Sequence, residues 1–164
     1  MPDDAVTKAA RALLDLCRAS KLTVATAESC TGGMVAAALT AIGGSSVVFD
    51  RGFVTYSNAA KQAMLDVPED MLKRFGAVSE PVARAMAAGA LARSDAALSV
   101  SVTGIAGPDG GSHDKPVGLV LFAAAARRGT LLHRRVEFGD IGRDQVRARS
   151  VLQALALLRE VAES

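Results

Sequence analysis

The 164-residue sequence has few aromatic residues and little net charge, and both shortages argue against a nucleic-acid-binding protein. Aromatic residues make up 4% of the chain, tryptophan is absent and Tyr56 is the only tyrosine. Few side chains are therefore available for stacking on bases. Lysine and arginine number 19 against 17 aspartate and glutamate, and the resulting net charge of +2 is small for a protein that follows a phosphate backbone. We expect no nucleic-acid partner.

Cysteines and long apolar runs are also scarce. Cys17 and Cys30 are the only cysteines, and a chain of this length needs no disulfide to fold, which indicates a reducing compartment. No apolar run approaches the roughly 18 to 20 residues that cross a bilayer. Asp3 and Asp4 follow Met1 where a secretory signal would carry basic residues. The sequence predicts a soluble, cytoplasmic protein that does not bind a membrane.

The two histidines, His113 and His133, restrict the catalytic chemistry. They form neither a His-x-x-x-His pair nor part of a Cys/His zinc quartet, so we expect no metal site. The sequence has no Gly-x-Ser-x-Gly elbow, no Walker A loop and no Gly-x-Gly-x-x-Gly after its first strand. These absences argue against a serine–histidine–aspartate hydrolase, a P-loop enzyme and a nicotinamide-dependent dehydrogenase. Lysine is the best remaining base for a serine.

The residues present alternate between helical and extended patterns over one expected domain, residues 1–164. Apolar spacings of three and four predict helices, and short β-branched apolar runs predict strands. The predicted helices cover 4–19, 34–42, 58–65, 68–75, 79–93 and 145–161, and the predicted strands cover 22–27, 47–56, 96–102, 117–126 and 130–138. Asp50-Arg51-Gly52 favours an interruption of the second strand. The alternation predicts an α/β sheet covered on both faces and ending in an antiparallel hairpin.

The first strand meets the next helix at Glu28-Ser29-Cys30-Thr31-Gly32-Gly33. Free N–H groups in the first turn of a helix favour negative charge. In one interpretation Ser29 or Thr31 caps the helix and the glycines allow a tight turn. In the other, Ser29 is a nucleophile whose oxyanion lies near the N–H groups of Cys30, Thr31 or Gly32. Spacing alone favours the first interpretation.

Two later segments carry further candidates. Tyr56 and Lys61 follow the second strand, and Lys61 taken alone is typical of a solvated surface residue. The longest predicted loop, 103–116, is rich in glycine, whose backbone a ligand can approach closely, and Lys115 could add charge. Loops with Gly-Pro also form for geometric reasons. Seven arginines are interpreted as a solvated face from which one could reach a substrate phosphate or a neighbouring subunit: Arg127, Arg128, Arg134, Arg135, Arg143, Arg147 and Arg149.

Five ordered blocks of the sequence resemble one known family. They read AESCTGG, VTYSNAAK, GAVSEPVARAMAAGA, SVTGIAGPDGGSHDKPVG and FGDIGRDQVRARSV. From about Ala10 to the C-terminus the chain resembles the carboxy-terminal domain of the CinA (competence-damage-inducible) proteins. The resemblance implies a three-layer α/β/α sandwich with a mixed sheet. It also implies an amidohydrolase that converts nicotinamide mononucleotide into nicotinate mononucleotide and ammonia in pyridine-nucleotide recycling.

The resemblance further implies roles for individual residues. The serine of the family falls on Ser29, its tyrosine on Tyr56 and its lysine on Lys61, which become the nucleophile, a proton relay or orienting group, and the base. The implied substrate-binding residues are Cys30, Thr31, Gly32, Gly33, Thr103, Gly104, Gly107 and Gly111. Cys30 is a competing nucleophile, and no cofactor is expected.

Longer relatives carry an additional amino-terminal domain that resembles molybdopterin-binding proteins. We expect this chain to be the stand-alone form and to assemble as a homodimer or higher homo-oligomer. Two other functions stay open: a catalytically silent nucleotide-binding module, and an amidase that acts on another small amide.

Overall fold

One mixed five-stranded sheet organises the chain in a computed structural model, which describes residues 4–164. The strands are β1 (Val24–Glu28), β2 (Phe49–Val54), β3 (Leu98–Gly104), β4 (Leu119–Ala126) and β5 (Leu131–Glu137). The helices are α1 (Asp4–Ser20), α2 (Met34–Thr40), α3 (Asn58–Leu65), α4 (Glu69–Phe75), α5 (Glu80–Ala92) and α6 (Arg143–Glu163). The strand order is β2-β1-β3-β4-β5; β1 runs parallel to β2 and β3, and β4 runs antiparallel to both of its neighbours.

The sheet has a buried apolar core on each face. Alternate side chains of β4 enter opposite cores, as the period of two in a strand requires: Val120 and Phe122 on one face, Leu119 and Leu121 on the other. The first core packs against α1, α2 and α6, and the second against α3, α4 and α5. Both layers of helices are therefore needed to bury the sheet, and the predicted three-layer α/β/α sandwich is confirmed.

Small residues allow α5 to lie close to both the sheet and α3. Ser99 and Ser101 of β3 donate hydrogen bonds of 2.7 and 2.6 Å to the carbonyls of Ala87 and Ala83. A Cβ atom at Gly89 would lie 2.1 Å from the carbonyl oxygen of Leu65, the last residue of α3. Glycine is therefore required where α5 approaches the end of α3 in the same layer of helices.

Several elements differ from the predictions, and the differences around β2 and the glycine-rich loop have physical reasons. Asp50 does not interrupt β2, because it is accommodated as a bulge where the register with β1 shifts. A bulge costs little at this position, since β2 is an edge strand that pairs on one side only. A 3-10 turn at Ser45–Val47 occupies the predicted start of the second strand, so β2 begins at Phe49. The glycine-rich loop lies two residues further along the chain than predicted, at 105–118, because β3 continues to Gly104 and β4 begins at Leu119. The predicted β4–β5 hairpin is confirmed.

The parallel strands bring three segments that are distant in sequence to one edge of the sheet. The carboxyl ends of β1, β2 and β3 lie side by side, with Glu28 paired to both Val54 and Val102. The helix that follows β1, α2, packs on one face of the sheet, and the helix that follows β2, α3, packs on the other. The crevice at such a point is where open α/β sheets bind ligands. None of the helices formed by residues 4–164 is long and apolar enough to span a membrane.

Candidate active site

A cavity of about 290 Å³ opens at the carboxyl ends of the parallel strands. It is lined by Ser29, Cys30, Tyr56, Lys61, Ala77, Val78, Arg143, Asp109 and Gly110, together with the residues from Thr103 to Gly107. Its walls therefore come from the ends of all three parallel strands, the glycine-rich loop and the first residue of α6. Pockets that hold small ligands begin at about this size.

Backbone hydrogen bonds fix Ser29 at the end of β1. Its N–H donates to Val102 O of β3 at 2.9 Å, and the preceding carbonyl, Glu28 O, accepts from Thr55 N at 2.8 Å. The turn that follows is closed by a 3.0 Å bond from Gly32 N to Ser29 O. The side chain of Ser29 is 8% exposed and faces the cavity.

Lys61 lies at the bottom of the same cavity, and its interpretation as a solvated surface residue is wrong. Ser57 caps α3 by accepting a 3.0 Å hydrogen bond from Ala60 N, and this start places Lys61 on the buried face of the helix, where it is 1% exposed. Its Nζ lies 2.9 Å from Ser29 Oγ, 2.8 Å from Thr55 O and 3.4 Å from Tyr56 O. The structure therefore brings the predicted serine and lysine into direct contact.

The surroundings of Lys61 make its neutral amine more available than that of an exposed lysine. Burial lowers the pKa of Lys61 from 10.5 to about 8, because the charged form loses its hydration. A neutral amine has two N–H donors and one lone pair. The Thr55 and Tyr56 carbonyls can accept hydrogen bonds from both N–H groups, which leaves the lone pair directed at the Ser29 hydroxyl. In this arrangement the Ser29 hydroxyl donates a hydrogen bond to the neutral Lys61 amine.

The Glu28 carboxylate lies at the start of α2. Its carboxylate is 1% exposed and accepts hydrogen bonds from Thr31 Oγ1 at 2.6 Å, Val35 N at 2.9 Å and Ala36 N at 3.1 Å. A carboxylate of the protein itself therefore supplies the negative charge that the N–H groups at this helix start favour. The capping interpretation is wrong: Gly33 is the N-cap of α2, and the Thr31 hydroxyl binds Glu28.

Tyr56 contributes to the site through two different atoms. Its backbone carbonyl is a partner of Lys61, whereas its phenol oxygen accepts a 3.0 Å hydrogen bond from Arg143 Nη2. The same guanidinium donates from Nη1 to Gly107 O at 2.8 Å. Arg143 therefore joins α6 to the phenol and to the glycine-rich loop at the mouth of the cavity. The hydrogen bonds of Lys61 within residues 4–164 do not include the phenol.

Cys30 lines the cavity but has an unreactive thiol. Its side chain is 7% exposed, and burial raises the pKa of the thiol to about 12. The thiolate is the nucleophilic form of cysteine. At neutral pH the buried thiol is therefore a much weaker candidate for attack on a substrate than the Ser29 hydroxyl.

Four of the eight predicted substrate-binding residues line the cavity, and four do not. Cys30, Thr103, Gly104 and Gly107 are in its wall. Thr31 is fully buried against Glu28, and Gly32 and Gly33 serve the backbone of the turn at positive φ. Gly111 lines a separate open depression of about 800 Å³ beyond the loop, and Lys115 binds Phe75 O away from the cavity. Glu28 was not among the predicted site residues, and Arg143 was grouped with solvated arginines.

The protein-family model of the CinA C-terminal domain matches residues 6–162 of the chain. The chain belongs to the CinA C-terminal domain family. It is 56% identical over 142 residues to the Escherichia coli K12 protein named "Nicotinamide-nucleotide amidohydrolase PncC", with 86% of this chain and 85% of that protein covered.

Two further relatives show the range of lengths in this family. The chain is 54% identical over 136 residues to a CinA-like protein of Anaeromyxobacter sp. strain K, but it spans only 33% of that protein's length. The crystal structure of the competence/damage inducible protein CihA from Agrobacterium tumefaciens superposes with a TM-score of 0.97 at 51% identity, covering 98% of both chains. The chain therefore matches some family members over nearly their whole length and others over about a third.

Proposed function

We propose that this protein hydrolyses the carboxamide of nicotinamide mononucleotide, releasing ammonia and nicotinate mononucleotide. The observation that carries the proposal is the 2.9 Å contact between Ser29 Oγ and Lys61 Nζ at the bottom of the cavity. The chain that makes this contact is 56% identical to the E. coli protein named as an amidohydrolase of this substrate class.

In the first half of the reaction, Ser29 attacks and ammonia leaves. Lys61 accepts the hydroxyl proton as Ser29 Oγ forms a bond to the carboxamide carbon, and the carbonyl π electrons move onto oxygen. The tetrahedral intermediate collapses when its C–N bond breaks. The leaving nitrogen takes the proton held on Lys61, so that neutral ammonia departs and an ester to Ser29 remains.

In the second half, water repeats the same sequence on the ester. Lys61 takes a proton from the water as its oxygen bonds to the acyl carbon. The bond to Ser29 Oγ then breaks, and that oxygen recovers its proton from Lys61. The product acid ionises in water, and both side chains return to their starting protonation states. A single base therefore serves both steps.

Two groups of donors are suited to the negative charges of the reaction. The N–H group of Cys30, which lines the cavity wall, adjoins Ser29 where an oxyanion develops. Arg143 and the backbone of the glycine-rich loop lie at the cavity mouth, where they suit the phosphate of a nucleotide. Tyr56 adds a proton-carrying phenol beside Arg143.

We further propose that the protein works as a cytoplasmic enzyme of pyridine-nucleotide recycling and as a homodimer. Sedimentation velocity at low concentration tests the assembly, and a single boundary at the monomer mass would contradict it.

Ammonia release from nicotinamide mononucleotide tests the reaction itself. Ser29→Ala should abolish release while retaining binding of the nucleotide, and Ser46→Ala, an exposed serine in the 3-10 turn, is the matched control. Free nicotinamide should be a much poorer substrate, because it lacks the phosphate. Full activity in Ser29→Ala would eliminate the serine mechanism.

Two results would favour the alternative functions. Tight binding of the nucleotide with no ammonia released would indicate a silent binding module. Faster release from a different small amide in a substrate panel would indicate an amidase of another specificity.

A further inference from the structure

Lys61 has no carboxylate partner, although its side chain is buried. The hydrogen-bond partners of its Nζ within residues 4–164 are uncharged oxygens: Ser29 Oγ at 2.9 Å, Thr55 O at 2.8 Å and Tyr56 O at 3.4 Å. None of the ion pairs formed in this part of the chain involves Lys61. A buried charge without a counter-ion is costly, and an anion that enters the cavity lowers that cost. The protonated site is therefore suited to a negatively charged ligand.

The direction of the Ser29 proton depends on the protonation of Lys61. The neutral amine accepts a hydrogen bond from the Ser29 hydroxyl, which leaves the lone pairs of Ser29 Oγ for the cavity. An ammonium group has three donors and no acceptor. When Lys61 is protonated, its Nζ donates to Ser29 Oγ, and the hydroxyl proton is free to turn into the cavity. The same serine is therefore a nucleophile in one state and a hydrogen-bond donor in the other.

These two states suit the two ends of the proposed reaction. The carbon of a carboxamide is attacked by a free lone pair of Ser29 Oγ, which only the neutral state offers. A carboxylate has acceptor oxygens only, so it requires donors. The protonated state offers the Ser29 hydroxyl as a donor, with the positive charge of Lys61 directly behind it. Hydrogen bonds between charged partners are roughly twice as strong as neutral ones.

We propose that the protonated site binds carboxylates, with the Ser29 hydroxyl and the Lys61 ammonium holding the carboxylate of nicotinate mononucleotide where the carboxamide of the substrate was. The inference rests on the proposed function. When the ester is hydrolysed, the O–H bond of the new acid breaks, and its proton bonds to the neutral Lys61 amine. The resulting ion pair retains the product. The product therefore competes with the substrate, and it competes more strongly in acid than in alkaline solution.

The other ionisable groups around Lys61 do not explain such a preference. They are Cys30, Tyr56, Asp109 and Arg143 in the cavity wall, and Glu28 at the start of α2. Burial raises the pKa of the Cys30 thiol to about 12, so the thiol keeps its proton at pH 9.5. The buried residues of α5, the helix that packs against α3, are all apolar. Substitution of Lys61 leaves all of these groups in place.

Calorimetric titration of the wild-type protein from pH 7 to 9.5 tests the site with two nucleotides that cannot be deamidated. One is nicotinate mononucleotide, and the other is pyridine mononucleotide, which has hydrogen in place of the carboxylate. With a Lys61 pKa of about 8, the Kd of nicotinate mononucleotide should rise about tenfold to thirtyfold across this range. The Kd of pyridine mononucleotide should change by less than about threefold, because its binding requires no proton on Lys61. At pH 9, nicotinate mononucleotide should also take up nearly one proton, measured from the heats in buffers of different ionisation enthalpy.

Two lysine variants complete the test: Lys61→Met, and Lys73→Met in the exposed part of α4. Lys61→Met should bind nicotinate mononucleotide at least about tenfold more weakly than wild type at pH 7, without pH dependence, and should bind pyridine mononucleotide normally. Lys73→Met should match wild type with both ligands.

A pH-independent Kd for nicotinate mononucleotide in wild type, or retained pH dependence in Lys61→Met, would overturn the inference. If Lys61→Met does not fold, proton uptake by wild type decides the matter, and its absence would count against the carboxylate site. If nicotinamide mononucleotide releases no ammonia while the pH-dependent binding holds, only the proposed function fails. If neither nucleotide binds to wild type, both proposals fail.

Discussion

Raising the pH should convert Lys61 from its ammonium form to its free amine and increase the rate of amide hydrolysis in proportion. With a pKa of about 8, about a tenth of the protein holds the neutral amine at pH 7 and about a hundredth at pH 6. A lysine with the ordinary pKa of 10.5 would be neutral in only about three molecules in ten thousand at pH 7. Burial therefore makes the base about 300-fold more available at neutral pH.

The assay is the pH dependence of kcat/KM for ammonia release at constant ionic strength. The value should rise about tenfold per pH unit in acid and level off above a midpoint near 8. Lys61→Met should lack the activity, whereas Lys73→Met, an exposed lysine of α4, should keep the wild-type profile. A flat profile, a rate that falls with rising pH, or a midpoint near 10 would refute the role of Lys61 as the base.

The same pKa shift should appear in the stability of the fold. The folded pKa of Lys61 lies below the unfolded value, so between pH 8 and 10.5 the unfolded chain binds the proton that the folded chain has released. The free energy of unfolding therefore rises with pH across this window, by about 3 kcal/mol in total from Lys61, and is independent of Lys61 below it. Urea unfolding of wild type and Lys61→Met at several pH values isolates this contribution as a difference. An equal pH dependence in the two proteins would contradict it.

Three substitutions extend these tests to the rest of the fold and site. Glu28→Ala should lower the free energy of unfolding by about 3 to 5 kcal/mol in urea titrations, because three donors lose their buried acceptor; a loss below about 1 kcal/mol would show that water replaces the carboxylate. Gly89→Ala should cost about 3 kcal/mol or more from the clash with the Leu65 carbonyl, whereas Gly43→Ala, with nothing within 4 Å, should be nearly neutral in the same assay. Cys30→Ala should retain ammonia release; its loss would reinstate the thiol as a nucleophile.

Much of the fold was predictable because local patterns and tertiary packing agree. The continuous apolar run of β4 matches a strand that is buried on both faces, and the apolar stripes of α1 and α6 match the core that these helices cover. The Ser57 cap of α3 is local chemistry and was also predictable. The interruption predicted at Asp50 failed because edge strands tolerate charges and bulges that central strands do not.

The candidate site was only partly predictable, because its decisive contacts span long stretches of sequence. Lys61 and Ser29 are 32 residues apart, and Arg143 lies 87 residues from its partner Tyr56. Pattern reasoning places Lys61 on a short helix, but it cannot tell which face of that helix is buried. Glu28 was missed because a glutamate at a strand end is normally exposed. The one local signal is a threonine three residues later, whose hydroxyl reaches back to it.

The late position of α6 in the chain has a consequence for the order in which the protein matures. Every other segment of the cavity wall precedes residue 143, yet Arg143 closes the mouth and Arg147 holds the turn beneath the reactive hydroxyl. A growing polypeptide can therefore complete its sheet before it completes its catalytic apparatus. Ribosome-bound chains halted before α6 should release no ammonia, and activity should begin only once that helix has emerged and docked.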